Sequence, residues 1–338
     1  MIKKQKTCLI LLLVVLVNSG CKRNVLPHSI GARDQIVVIS SPEFVLDSLI
    51  NVLEKVEYYP TAEEVYNVKK ASWAEFERYK FWRNLILVGT LGSSYIREVL
   101  KEEASEKNEK EPQIFLGQDL WVRLQTVIVI AGATQDKTQK LVENAAKKIY
   151  EILREEETNR FKGVVYMNGY QRRETEKMNS FLGASFEIPL GYRLARAENN
   201  FMTYIRRDPD RLVTLLCQSS PIKNPIRFRD SLFLRYFKGD EIVMDSFYVT
   251  TERGEKRLVR LTALDTFNFK NKKAIRIKGV WKNEKIEGGP MGGPFVSYIF
   301  ERSGKWYFLD GHVFAPGKKK WPFLEEVDII LNTFQEAE

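Results

Sequence analysis

"GGPMGGPFVSYIFERSGKWYFLDGHVFAP", residues 288–316, decides how the second half of this chain folds. Successive side chains of a strand point to opposite faces. Phe295, Ser297, Ile299 and Glu301 therefore share one face, and Val296, Tyr298 and Phe300 share the other. "RSGK" (302–305) supplies a turn in which Gly304 can take a positive φ. Trp306, Phe308, Asp310 and His312 then fall on one face of the returning run. The spacing predicts a β-hairpin. Ahead of it, two Gly-Gly-Pro triplets flank Met291. Gly288, Gly289, Pro290, Gly292, Gly293 and Pro294 admit two readings. One is a tight backbone crossing where a side chain would clash and Pro294 fixes φ. The other is a candidate binding loop whose exposed amides meet an anion.

Working outward, "ASFEIPLGYRLARAENNFMTYIRRD" opens the second half with two strands, and "DRLVTLLCQSSP" is a third. "RDSLFLRYFKG" reads as a short helix. "FYVTTERG", "RLVRLTALDTFNF" and "KKAIRIKGVWKNE" add strands, and "FLEEVDIILNTF" (323–334) closes the chain as an amphipathic helix. One antiparallel sheet with helices packed on it is expected over 183–338. Toward the N-terminus, 162–182 reads as a helical connector. The segment 35–161 alternates strands and helices as an α/β domain. "QIVVIS" (35–40) is a buried strand by its β-branching. It is followed by a helix with Ser41 as its N-cap and Pro42 in the first turn. "NVKKASWAEF" and "RNLILVGTL" (83–91) are further strands, and "LQTVIVIAGA" (124–133) is the strongest. A helix at 93–112 runs out into a charged loop. The strongest helix spans 134–161, with Leu141, Ala145, Ile149 and Ile152 on its apolar face. The fold class is α+β, built from two α/β-type domains.

The first residues, "MIKKQKTCLILLLVVLVNSGC", have the layout of a secretory signal: Lys3, Lys4 and Lys6, an apolar run from Leu9 to Val17, then small and polar residues before Cys21. That run is far short of the ~20 residues a membrane-spanning helix needs. Cys21 directly after Ser19-Gly20 resembles a bacterial lipobox, with Asn18 where an aliphatic residue is common. The expectation is cleavage of 1–20, diacylation of Cys21, and a tether over 21–34 in which His28 is exposed. Cys8 leaves with the signal, so Cys217 is the only other cysteine, no internal disulfide can form, and a buried inert thiol is expected.

The chain has 338 residues and a formal net charge of +9. Losing the three leader lysines brings the charge to +6, which points weakly to anionic partners such as phospholipid head groups. Apolar residues make up 44% of the sequence and aromatics 12%, enough for substantial cores. The basic runs at 269–278 and 317–321 read as solvated faces. Export leaves nucleic acid out as a partner.

No chemistry is spelled out by a motif. "GTLGSS" (89–94) lacks the spacing of a dinucleotide loop. His28 and His312 are the only histidines, which excludes a His-rich metal site, and no cofactor is expected. Asp310 and His312 suggest an acid–base pair with Ser297 as nucleophile. Same-face i, i+2 positions stand about 6–7 Å apart, however, beyond direct hydrogen-bond reach, and no GxSxG elbow surrounds Ser297. His312 as a packed strand residue is the other reading. Carboxylates that could serve a hydrolase near the loop are Glu284, Glu287 and Asp310.

"IPLGYRLARAENNFMTYIRRD", "IKGVWKNE", "MGGPFVSYIF", "YFLDGHVFAP" and the final "LNTF" together resemble an uncharacterised lipoprotein family of Bacteroidetes-type bacteria, a domain of unknown function. "RNLILVG" and "LWVRLQTVIVIAGATQDK" resemble that family's N-terminal strands. The resemblance implies the lipoprotein compartment and no particular activity. The order of elements in the second half is also similar to PsbP-like sandwiches, which says nothing of function. The function expected is that of a non-catalytic binding or assembly module on the periplasmic face of the outer membrane. It would be held by its N-terminal lipid and would meet an envelope protein or glycan at "GGPMGGPF" and at "GKKKWPF", where Trp321 is the anchor. The alternative is a hydrolase of envelope glycan or lipid.

Overall fold

Three apolar runs of the first half form parallel strands because each is buried on both sides, and a fourth, polar and largely exposed, pairs in parallel at the edge. β1 (Gln35–Ser40), β2 (Asn67–Ser72), β3 (Asn84–Thr90) and β5 (Thr126–Gly132) pair in parallel, and β4 (Gln113–Gln118) joins β5 antiparallel. The sheet order is β2-β1-β3-β5-β4. The computed structural model describes residues 26–59, 61–100, 113–236, 242–244, 246–250, 256–260, 262–283 and 291–337. Cys21, Gly288, Gly289, Pro290, Glu284 and Glu287 lie outside the described residues.

Helices cover both faces of this sheet. α1 (Asp47–Leu53) and α4 (Gln135–Val165) lie on one face. On the other are α2 (Phe76–Tyr79) and α3 (Ser94–Leu100). The expected N-cap at Ser41 is not used. Phe44 and Leu46 are drawn into the core, Gln139 of α4 bonds both the N–H and the C=O of Val45, and the helix starts only at Asp47. α4 is capped by Thr134, whose hydroxyl accepts from the Lys137 amide at 3.3 Å. Its buried stripe is Val142, Ala145, Ala146, Ile149 and Leu153, and each large aliphatic in it is worth roughly 1.5–3 kcal/mol. Leu141 and Ile152, expected at its centre, sit at its edge and are half-buried.

The second sheet is antiparallel. Its strands are β6 (Arg193–Glu198), β7 (Phe201–Arg206), β8 (Asp210–Gln218), β9 (Ile242–Met244), β10 (Ala263–Phe269), β11 (Lys272–Asn283), β12 (Met291–Arg302) and β13 (Lys305–Phe314). The order is β9-β11-β12-β13-β8-β7-β6, with β10 also on the edge of β11. α5 (Arg172–Leu182) and α7 (Trp321–Leu331) pack on one face, and α6 (Pro225–Tyr236) packs on the other. The chain is thus α+β, with a mixed first sheet and an antiparallel second sheet. α4 continues past the expected boundary to Val165, which packs on the second core. α5 places Met178 and Leu182 inside that core, so these residues belong to the second half rather than to a free connector.

Residues 26–34, expected as part of the tether, are fastened to the first half. Ser29 donates to the Arg123 carbonyl at 3.0 Å, Ile30 to Phe81 at 3.0 Å, and the Arg83 amide returns to Ile30 at 2.8 Å. These bonds satisfy a backbone that would otherwise face water alone. His28 is exposed, as read.

The hairpin forms as read. Ser303 (φ 51°) and Gly304 (φ 74°) give a two-residue turn with both φ values positive, the geometry that matches strand twist. Gly292 and Gly293 have no positive φ, so a left-handed backbone is not their role. Close approach is: a Cβ on Gly293 would stand 1.9 Å from the Val313 carbonyl oxygen, and one on Gly292 would stand 2.8 Å from that of Trp281. Pro294 pairs with Val280 on β11, while pairing with β13 begins only at Phe295, so its missing N–H costs no rung on that side. Gly293→Ala is expected to lower stability by roughly 1–3 kcal/mol. Gly163→Ala, on α4 with nothing near its Cβ, should be neutral or stabilising by up to about 1 kcal/mol. Equal midpoints for the two variants in urea would refute a tight crossing at Gly293.

Candidate functional site

The polar residues singled out in the hairpin do come together. Register places Ser297 of β12 opposite Asp310 of β13, and Asp310 opposite Thr214 of β8. His312 Nδ1 lies 3.0 Å from Asp310 Oδ2. The expected separation beyond hydrogen-bond reach is therefore wrong, because i, i+2 side chains can lean toward each other along the strand even though their Cβ atoms stay apart. The Ser297 hydroxyl donates to Asp310 Oδ1 at 2.6 Å, and Arg229 of α6 donates its Nε to the same oxygen at 2.7 Å. The Arg229 guanidinium is held between two rings, 3.8 Å from the Phe295 centroid and 4.4 Å from that of Phe233. His312 meets Phe233 and Trp281 edge to face.

This arrangement fixes the sheet to α6 and does not resemble a nucleophile with its base. Asp310, Ser297 and Arg229 have no exposed surface, and His312 is 2% exposed. The serine proton points at the carboxylate. Burial would raise the Asp310 carboxyl, but Arg229 and the His312 contact outweigh it and hold the group below the ordinary carboxylate value. Cys217 is half-buried, and burial pushes its thiol up, against Lys305 and Tyr307. Among the described residues no group of three His, Cys, Asp or Glu could hold a metal ion. No helix among them is long and apolar enough to cross a membrane.

The basic run 317–321 is solvated only in part: Gly317, Lys318 and Lys319 are exposed, and Lys320 and Trp321 are buried. Lys319 pairs with Asp34 at 2.8 Å. Glu63, from the first half, accepts the backbone amides of Lys320 and Trp321, and so caps α7 from outside its own segment. Trp321 is 3% exposed and lies beside Arg33 and Arg154, with centroid distances of 5.2 and 5.4 Å. It is an interior packing residue, so it cannot serve as the exposed anchor. The lysines of 269–278, by contrast, are exposed as read.

An open concave feature lies where the end of α4, the 189–192 loop, β7, β8 and the start of α7 meet. It is a cleft of about 440 Å³. Phe161, Val164, Met167, Leu190 and Phe323 supply an apolar wall, and Arg33, Arg206, Arg211 and Glu326 supply the polar part. Glu326 accepts from Arg211 Nη1 at 2.8 Å, from the Tyr192 hydroxyl at 2.9 Å and from Arg206 at 3.4 Å. The rim is held in place by Gln171, whose amide group bonds the carbonyls of Pro189 (2.8 Å) and Tyr192 (2.7 Å). Behind the cleft, Glu157 accepts from Arg33 (2.7 Å), Arg83 (3.0 Å) and Arg160 (2.6 Å), while Glu325 faces Arg33 and Arg154. Six arginines here share three carboxylates, so the region carries surplus positive charge. None of these residues was singled out from sequence. The available signal was Glu157, four residues beyond Leu153 on an otherwise apolar stripe.

Asp310→Asn keeps the shape, removes the charge and leaves Arg229 buried without its counter-ion. A loss of about 3–5 kcal/mol is expected at neutral pH. The folded Asp310 and Glu157 carboxyls both lie below their ordinary values. Their stabilisation is therefore complete above the unfolded values of about 4 and is lost as pH falls through the lower folded ones. Melting curves of the native protein should decline in that acid range, and those of Asp310→Asn should decline less. Parallel acid profiles would refute the assignment.

No curated protein matches the chain. Among solved structures, it is similar to cyanobacterial PsbP (CyanoP) from Synechocystis sp. PCC 6803, with 10% identity and a TM-score of 0.29, over 46% of this chain and 87% of that one. The Ran-binding protein Mog1p of Saccharomyces cerevisiae gives 8% identity and a TM-score of 0.29 over 46% and 91%. Human STARD10 gives 10% identity and a TM-score of 0.20 over 48% and 80%. Residues 171–333, which hold the second sheet with α5, α6 and α7, match the family model of a domain of unknown function, DUF4837, consistent with an uncharacterised domain family.

Proposed function

We propose that the protein is a cell-envelope lipoprotein of Bacteroidetes-type bacteria, tethered by acylated Cys21 to the periplasmic face of the outer membrane, and that it works there as a non-catalytic binding module. The leader "MIKKQKTCLILLLVVLVNSGC" supports the export and lipidation part of this reading. "KRN" after Cys21 carries no acidic cluster, which favours retention on the periplasmic side. One observation carries the binding part. The Ser297–Asp310–His312 group is sealed inside the sheet and committed to Arg229, while an open concavity with fixed polar groups has mixed apolar and cationic character. Pockets that bind ligands or segments of partners are built this way, with an apolar lining and a few fixed polar groups. The +6 charge of the chain after the leader is in keeping with an anionic surface or partner.

Lipidation is tested by labelled-palmitate incorporation and intact mass, with full loss of label expected in Cys21→Ala. Retained label would remove the tether from this account. Binding is tested by placing a photo-crosslinker at Met167, 73% exposed on the cleft rim, in intact cells. A single stoichiometric adduct is expected. Turnover of an envelope glycan or phospholipid by the purified protein would replace this reading with the hydrolase.

A further inference from the structure

We infer that the cleft between α4 and α7 takes an anionic amphiphile, with its carboxylate or phosphate head on Arg206 and Arg211 and its apolar body along Phe161, Leu190 and Phe323. The inference rests on the binding reading above and names its ligand class. Four observations support it. First, three arginines, Arg33, Arg206 and Arg211, line the cleft against one carboxylate, Glu326, so the site is short of negative charge. Second, Arg211 is 5% exposed and lines the cleft, and its Nε has no partner among the described residues. A buried guanidinium N–H without an acceptor is costly, and an anionic ligand oxygen would satisfy it. Third, Arg206 is more accessible, with 43% of its side chain exposed, and its contact with Glu326 is long at 3.4 Å, so it can turn to a ligand with little loss. Fourth, the outer wall exposes apolar side chains that nothing covers among the described residues: Val164 at 52%, Met167 at 73% and Leu190 at 50%.

The head and the body are separately recognised. The Arg33 guanidinium lies over Phe161, 3.6 Å from the ring centroid, and its charge is already committed to Glu157 and Glu325. Arg206 and Arg211 share only Glu326 between them. The free cationic capacity is therefore at the β7–β8 end, and the apolar wall runs away from it toward the end of α4. Gly191, beside this end, takes φ 91°, the left-handed backbone that favours glycine. A Cβ there would meet Arg206 Nε at 3.4 Å. A cleft of this volume lies within the usual ~300–1,000 Å³ range for small-molecule sites.

The test is isothermal titration of the purified full chain with dodecyl phosphate, laurate and dodecyl maltoside, each below its micelle concentration, and with inorganic phosphate. Saturable one-to-one binding of an anionic amphiphile, roughly tenfold or more tighter than dodecyl maltoside, is expected. The tighter of dodecyl phosphate and laurate identifies a phospholipid-type or a fatty-acid-type source. Arg206→Gln and Leu190→Ser should each weaken binding about fivefold or more with an unchanged melting temperature. Equal binding of the maltoside, full competition by inorganic phosphate, or unaltered binding in both variants would overturn the inference. If no amphiphile binds while the Met167 crosslink still recovers a protein, the ligand class falls and the binding module stands. If dodecyl phosphate is bound and hydrolysed, the ligand class stands and the non-catalytic reading falls.

Discussion

The structure depends on one buried carboxylate. Glu157 has no exposed surface and receives Arg33, Arg83 and Arg160. Burial alone would raise its proton affinity, but the three guanidiniums reverse that and hold it ionised. These cations come from three places: the segment before β1, the residue before β3 and the last turns of α4. Taking several charges out of water is expensive, and apolar packing of the same volume would often be as stable. What such a cluster adds is definition. The carboxylate is satisfied only when the N-terminal segment, the first sheet and α4 are in one arrangement, and a half-made network is worse than none. Arg33 then extends the same network to Glu325 of α7, and the second half is drawn into the constraint.

A second polar device fixes the other half. Thr203, Thr214, Asp310 and Ser297 form a row across four neighbouring strands, through the registers of β7 with β8, β8 with β13 and β13 with β12. The two threonine hydroxyls bond each other at 2.9 Å, and Ser297 bonds Asp310. An apolar sheet face would accept a covering helix at many angles. A single carboxylate in that row, matched to Arg229 between Phe233 and Phe295, accepts α6 at one angle. The residues that look most like catalytic machinery in the sequence thus do the work of register and docking.

Much of this architecture was legible before the structure. A β-branched run marked β1, apolar runs marked β3 and β5, a 3.6-residue stripe marked α4, and alternation about "RSGK" marked the hairpin. What escaped were features set by contacts distant in sequence. Ser41 looks like a helix cap, but the pull of Phe44 and Leu46 into the core and the bonds to Gln139 decide otherwise. Trp321 amid lysines looks exposed, and only Glu63, far away in the chain, shows why that end is buried. The cleft was invisible for the same reason. Its walls come from the end of α4, the 189–192 loop, two strands and α7, and no local pattern announces that arginines from separate strands will face one cavity. Glu157 is the exception. A charge continuing the series Val142, Ala146, Ile149, Leu153 must be either exposed by a helix end or buried with partners, and the second alternative implies cations elsewhere.

α7 joins these devices through two adjacent residues. Successive positions on a helix are about 100° apart, so Glu325 and Glu326 cannot serve the same cations. Glu325 turns to Arg33, Arg154 and the Thr158 hydroxyl of α4. Glu326 turns to Arg206, Arg211 and Tyr192 of the second half. Its N-terminus is capped by Glu63 of the first half. Its apolar side, with Val327, Ile330 and Leu331, packs on the second core. A rotation of α7 that improved one carboxylate's contacts would strain the other's. The cleft lies against the first two turns of this helix, beside Phe323 and Glu326, and its shape is therefore set by whichever balance the two ion-pair systems reach. An anion arriving at Arg206 and Arg211 competes with Glu326 directly and with Glu325 only through the helix. That asymmetry places the adjustable part of the interface at the β7–β8 end and the fixed part at Glu157.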